Sequence, residues 1–304
     1  MEQSNSSLSH AGKDADAEKS PPSTVQNGLE QPKAPPPAPP DGGLQAWLVC
    51  LGTFCGYVAT FGWLTCIGVF QDYYQQNFLS SYSPSAVAWI PSTQAFMIFG
   101  GGLIFGKVFD SYGPRWPMLI GTFLQVFGLM MTSLSTKYYQ IFLSQAIVSA
   151  VGASIIWPSF AASLLTWFQK KRSTAFGIAT TGSSIGGVIF PIMVYRLIPL
   201  VGFPWTMRIV AFLLLALLGV TNFTVKSMLE HSPTPFTAKE YIVQLKDANF
   251  AVTVLGSAIF SFGLFVPFNF IILQAEHKGM SNHLAQYLVS ILNAARLAQL
   301  QHTS

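Results

Sequence analysis

From Ala46 onward, apolar residues gather into runs of about 20, the length that crosses a hydrocarbon core at 1.5 Å of helical rise per residue. The runs predict membrane helices at Ala46–Phe70, Ala86–Phe109, Pro117–Ser135, Tyr138–Leu165, Ala175–Tyr195, Trp205–Val225 and Phe250–Leu273. A shorter eighth candidate covers Leu284–Leu300. In lipid a backbone must satisfy its own hydrogen bonds, so these runs specify helices. Met1 to about Pro40 is different: it is polar, rich in Ser, Ala and Pro, and ends in a proline run from Pro35 to Pro40. Such a stretch buries too little apolar area to fold alone, and 1–40 reads as a disordered, solvated tail. It lacks the basic start, apolar core and cleavage site of a secretory signal.

Composition narrows the class. Only 9% of residues are charged and 51% are hydrophobic, with a mean hydropathy of +0.44. A soluble surface needs far more charge, roughly 25% of residues, whereas a lipid-facing surface needs almost none. The formal charge of +4 does not indicate nucleic acid, because Lys and Arg are scattered between apolar runs instead of forming one stripe. They mark topology. Lys107 and Arg115, then Lys170, Lys171 and Arg172, then Lys226, Lys239 and Lys246 fall on one side; Lys137, Arg196, Arg208 and Lys278 fall on the other. Cytoplasmic connections retain positive charge, which places the tail in the cytoplasm and argues against a seven-helix receptor with its N-terminus outside.

The longest connection, Lys226 to Asn249, contains a weakly amphipathic stretch near Tyr241–Leu245. It reads as a cytoplasmic linker, 226–249, between a six-helix bundle, 41–225, and the incomplete start of a second bundle, 250–304. Six helices, a linker and more helices suggest a duplicated carrier. A full duplication needs twelve helices, so the expectation is a C-terminally truncated product.

Candidate chemistry is sparse. Cys50, Cys55 and Cys66 share one apolar run without metal or disulfide spacing, and the five histidines lie in tails and loops. No nucleophile–base pair, phosphate loop or metal motif is present, so neither an enzyme nor a cofactor is expected. Charge is nearly absent from the middle of the spans, where each Lys, Arg or Asp costs roughly 2.5–3.5 kcal/mol. Candidate polar cavity residues are Thr60, Thr65, Gln125, Gln145, Ser149, Thr181 and Asn269. For each one singly, a packing residue bonded to backbone is the favoured reading. Gly52 and Gly56, Gly102 and Gly106, and Gly182 and Gly186 form GxxxG pairs suited to close helix contact, in a rocking bundle or in a static one.

Three stretches carry a resemblance. Gly106-Lys107-Val108-Phe109-Asp110-Ser111-Tyr112-Gly113-Pro114-Arg115 resembles the loop signature of the major facilitator superfamily. Asp41-Gly42-Gly43-Leu44-Gln45-Ala46-Trp47 and the run from Trp167 through Lys170-Lys171-Arg172 into Gly177, Gly182 and Gly186 resemble the two signatures of its monocarboxylate-transporter-like family, in fungal form. The likeness covers about Pro40 to Ala295. It implies the major facilitator fold, all-α and polytopic: a six-helix bundle plus one to two helices of the second. It also implies a secondary transporter, symporter or uniporter, moving a small organic solute such as a monocarboxylate, vitamin or secondary metabolite by alternating access. Plasma membrane is the default and vacuole the next choice. The bilayer and the solute are then the partners, with self-association if the short chain functions. By the resemblance, Gly106 permits close helix approach, Gly113 serves a sharp turn, and Asp110 with Arg115 belongs to a gate. Asp41 favours a helix N-terminus, Trp47 anchors at the interface, and Lys170, Lys171 and Arg172 meet anionic lipid. Thr65 falls where animal members carry a lysine. Arg296 follows the family-like run Ser290 to Ala295 but falls short of the expected arginine position. The competing expectation is a non-transporting membrane fragment.

Overall fold

The computed structural model describes residues 40–229, 246–280, 284, 287–288 and 290–295. Residues 1–39 of the predicted tail, the linker stretch near Tyr241–Leu245, and Arg296 lie outside the described residues. Every regular element among the described residues is helical.

Helix α1, Leu44–Tyr57, continues through a π-helical turn, Val58–Gly62. After a turn at Thr65–Cys66 the chain resumes as α2, Ile67–Gln76. Then follow α3, Pro84–Tyr112; α4, Arg115–Thr132; α5, Tyr138–Ile141; a π-helical segment, Phe142–Ser149; and α6, Ala150–Trp167. Helix α7 covers Arg172–Thr224, and α8 covers Ala248–His277. Four of these stretches, Leu44–Gly62, Pro84–Tyr112, Tyr138–Trp167 and Arg172–Thr224, are long and apolar enough to cross a membrane. The chain is a multi-pass membrane protein.

The first seven predicted spans fall on helices, with two differences; the eighth candidate, Leu284–Leu300, lies partly outside the described residues. The first span is broken, because the π turn and the Thr65–Cys66 turn interrupt an apolar run that hydropathy alone reads as continuous. The fifth and sixth spans belong to one helical stretch of 53 residues, bent at Gly202, where φ is 78° and ψ is 163°. A straight helix of that length would reach about 80 Å, so the turn that glycine allows divides it into two spans.

The stretch Tyr138–Trp167 is the most enclosed, with 67% of its apolar window buried against 33% for α3 and α7. It forms the centre of the bundle. Outward faces present Trp89, Phe96, Leu103, Phe123 and Phe223, a surface suited to lipid. Inside, small residues bring backbones together, since lipid removes the usual hydrophobic drive between helices. A Cβ on Gly152 would strike the Gln125 backbone nitrogen and come within 2.6 Å of the Gly121 carbonyl oxygen, while one on Gly128 would lie 2.6 Å from the Ser149 nitrogen. These glycines close the α4–α6 seam.

The predicted GxxxG pairs behave differently from one another. A Cβ on Gly186 would lie 2.8 Å from the Gly62 Cα and one on Gly182 would strike the Phe54 carbonyl, so both glycines close the α1–α7 seam. Gly52 instead faces Thr224 and Gly56 faces Phe160, so that pair serves two partner helices. Gly102 lies under Trp157, but nothing stands within 4 Å of a Cβ on Gly106. The close approach expected at Gly106 is therefore not made among the described residues.

Candidate functional site

Two regions emerge: a clasp at the end of the bundle where α1 begins, and an aromatic interior. In the clasp, Asp41 adopts a left-handed backbone, φ 51°, and its Oδ1 accepts from the Gln169 and Lys170 backbone N–H groups at 2.5 and 2.7 Å. Its own N–H donates to the Trp167 carbonyl at 3.2 Å. Trp47 meets Phe168 edge-on, ring centroids 5.5 Å apart. Trp167 Nε1 donates to the Lys226 carbonyl at 2.6 Å, and Met228 N–H donates to Thr166 Oγ1 at 3.2 Å. The two stretches singled out in the sequence thus interlock with the chain that leaves α7.

Asp41 was expected to favour the N-terminus of its own helix. Instead Gly43, at φ 88°, precedes α1 with no side-chain cap, and the Asp41 carboxylate serves N–H groups ahead of α7. Those groups lie in the turn between α6 and α7, outside either helix ladder, and the carboxylate supplies their acceptor. Gly42 and Gly177 have open space around them, and Lys170, Lys171 and Arg172 are exposed. At the α3–α4 turn, Gly113 closes α3 with φ 73° and donates its N–H to the Phe109 carbonyl, with Asp110 and Arg115 at the surface.

The Gln169 N–H beside Asp41 holds its carboxyl below the ordinary value of 3.8, with the Lys170 and Lys171 N–H groups and the Lys170 charge adding to it against partial desolvation. A depressed folded-state value contributes stability above the unfolded value and loses it as pH falls through the folded one. The gap between the thermal midpoints of the parent and Asp41→Asn is therefore expected to hold steady from neutral pH down to about 4, then to shrink with further acid. A gap independent of pH in that acid range would show that the carboxylate charge does not hold the clasp.

The seven predicted cavity residues do not gather into one site. Thr60 Oγ1 donates to the Gly56 carbonyl at 2.8 Å, Thr65 Oγ1 to Gly62 at 2.7 Å, and Thr181 Oγ1 to Ile178 at 2.7 Å. Gln125 Nε2 donates to the Ala59 carbonyl at 2.9 Å, an oxygen within the π turn. Ser149 is buried at the end of the π-helical segment against Gly128. Asn269 belongs to α8, and its side chain lies outside the described residues. Gln145 alone joins a side-chain network: it accepts from Tyr74 Oη at 2.6 Å and donates to Gln94 Oε1 at 3.2 Å. Sequence reasoning missed Tyr74 and Gln94. A glutamine inside the apolar run Ala86–Phe109 was the available signal for Gln94.

Elsewhere, rings connect four elements, counting α1 and its π turn as one. Phe61 lies 5.8 Å from Phe99, 5.9 Å from Trp157 and 5.7 Å from Tyr57, which in turn lies 6.1 Å from Phe176. Trp157 Nε1 is held by the Ile98 carbonyl at 3.1 Å. The chain after the linker touches the bundle through α2, which packs along α8, and through the first half of α7. There Asn293 Nδ2 donates to the Gly187 carbonyl and Ser290 Oγ to the Val188 carbonyl, both at 3.3 Å, and Arg196 donates to Tyr287 Oη at 2.8 Å. A separate groove of about 300 Å³ between α4 and the Phe142–Ser149 segment, lined by Phe127, Met131, Leu143 and Val148 among others, contains none of the predicted residues.

This arrangement matches known proteins. The chain is 52% identical over 258 residues to "MFS-type transporter 1" of Ophiocordyceps sp. (strain BCC 1869), covering 85% of this chain and 58% of the relative. It is 41% identical over 273 residues to the "Fujikurins efflux protein" of Gibberella fujikuroi, covering 90% and 59%. The chain thus spans under two thirds of the length of either relative. Among solved structures, a POT family transporter in complex with 5-aminolevulinic acid aligns with a TM-score of 0.55 at 17% identity, over 82% of this chain and 51% of that one, a likeness of fold. Residues 46–298 match the family model described as Major Facilitator Superfamily, to which the chain belongs.

Proposed function

We propose that the chain serves secondary transport and exports a small organic solute, a fungal secondary metabolite, by alternating access. Residues 41–225 act as one rigid bundle, 226–249 as a cytoplasmic linker, and 250–304 as the start of the opposing bundle. The Asp41 end faces the cytoplasm, at the plasma membrane, and the paired signatures support the monocarboxylate-transporter-like branch.

The observation that carries this reading is a contrast of contacts. Within the bundle, helices meet backbone to backbone at Gly62–Gly186 and Gly121–Gly152. The following segment instead meets α7 through side chains, with hydrogen bonds at Gly187, Val188 and Arg196 and the Tyr195–Tyr287 ring pair at 6.3 Å. A rigid body held to its neighbour by such bonds suits rocking of one bundle against the other, because each bond is individually modest at about 1 kcal/mol. The efflux name of the Gibberella relative supports metabolite export over uptake of organic acids or vitamins.

The test uses sealed vesicles carrying the purified chain, or the chain fused to the remaining length of the Ophiocordyceps relative. Movement of fujikurins, lactate and riboflavin is measured across them. Metabolite movement without lactate or riboflavin movement is the expected result. Movement of lactate or riboflavin alone, or of no solute by either chain, would overturn the reading.

A further inference from the structure

We propose that Tyr57, Phe61, Phe99, Trp157 and Phe176 form the wall on which substrate is held, and that this wall selects flat, uncharged ring systems. The proposal rests on the export reading above and gives its solute a chemistry.

Continuity is the first argument. The five side chains come from α1, its π turn, α3, α6 and α7, yet successive ring centroids lie 5.7 to 6.1 Å apart. That is the range in which aromatic rings attract one another, and in which an added ring can join them. Phe99 is 42% exposed, and Phe61, Trp157 and Phe176 are half-buried, so ring surface remains uncovered. Trp157 is fixed through its Nε1, which leaves its π face as the recognition surface.

Position is the second. Phe176, Thr180, Ser184 and Gly187 recur at helical spacing along one stripe of α7. Gly187 is where Asn293 of the following segment seats. The wall therefore continues, toward the Asp41 end, the face that opposes the chain after the linker. Ser184 on this stripe is fully buried and its Oγ has no hydrogen-bond partner among the described residues.

Charge is the third. No Asp, Glu, Lys or Arg occurs in 44–71, 85–106, 138–169 or 173–195, the stretches that supply the wall. A carboxylate held there would lose its hydration and find no cation in return. A neutral ring system loses little on leaving water and gains stacking.

Equilibrium binding to the full chain in lipid nanodiscs tests this, with empty nanodiscs subtracted for partition into lipid. The probes are methyl anthracene-9-carboxylate and its parent acid, which is anionic at neutral pH. The ester is expected to bind at least about tenfold more tightly than the acid. Phe99→Ala, an exposed position, is expected to weaken the ester by roughly three- to tenfold, while Leu143→Ala, in the separate groove, leaves it unchanged. Trp157→Phe keeps a ring in place and is expected to weaken it less than Phe99→Ala. Equal binding of acid and ester, or ester binding indifferent to Phe99→Ala, would overturn the proposal. Wall-dependent binding without export in vesicles would sink the export reading and leave the wall standing as a ligand site.

Discussion

Gly152→Val is expected to leave little monodisperse protein after extraction into detergent, with a loss of about 3 kcal/mol or more. The reason lies in what the new side chain would meet. A Cβ at this position strikes the Gln125 backbone nitrogen and approaches the Gly121 carbonyl, both on α4. Backbone inside a helix cannot swing aside as the tip of a side chain can, so α4 and α6 would have to separate along the seam. Gly219→Val is the matched control, because nothing lies within 4 Å of a Cβ there. Size-exclusion profiles and thermal midpoints of the two variants decide the matter. Equal behaviour would mean that α4 and α6 do not meet through their backbones.

Gln145→Leu is expected to be the most damaging change in the Tyr74–Gln145–Gln94 network, at about 2 kcal/mol. Tyr74, Gln94 and Gln145 are 1%, 2% and 3% exposed, so water cannot replace a lost partner. The substitution strands both the Tyr74 hydroxyl and the Gln94 carbonyl oxygen, whereas Tyr74→Phe removes only the donor to Gln145. The expected order of thermal midpoints is parent, then Tyr74→Phe, then Gln145→Leu. If Gln145→Leu proved the milder of the two, the network would not be holding α2, α3 and the α5–α6 region together.

The order of the helices was legible because lipid imposes a single demand, an apolar run of sufficient length, and the sequence meets it repeatedly. Departures from regular helix were not legible. Nothing in Val58–Gly62 or Phe142–Ser149 distinguishes a π turn from an α turn, since the difference lies in which carbonyl each N–H reaches. Gln125, which looked like a cavity residue, donates to an oxygen of the first π turn, so its role depends on a feature that hydropathy cannot report. The glycine readings divide for a similar reason. GxxxG spacing found the α1–α7 seam at Gly182 and Gly186, but the α4–α6 seam uses Gly121, Gly128 and Gly152, whose spacing follows no such pattern. In the aromatic wall, each ring looks like ordinary membrane filler in its own span, and only the packing of four elements makes them one surface.

The clasp also sets a schedule for assembly. Asp41 bonds to Lys170 across 129 residues of chain, and Gly52 accepts from Thr221 across 169. At roughly 5–20 residues per second of synthesis, α1 enters the membrane on the order of 10–30 s before its last partner is made. The Asp41 carboxylate waits until Lys170 is made, and the Gly52 carbonyl waits longer for its interhelical donor, Thr221. The first helix to arrive is therefore among the last to be secured, and a nascent chain arrested before Thr221 would present that unfinished end to the machinery that surveys membrane proteins.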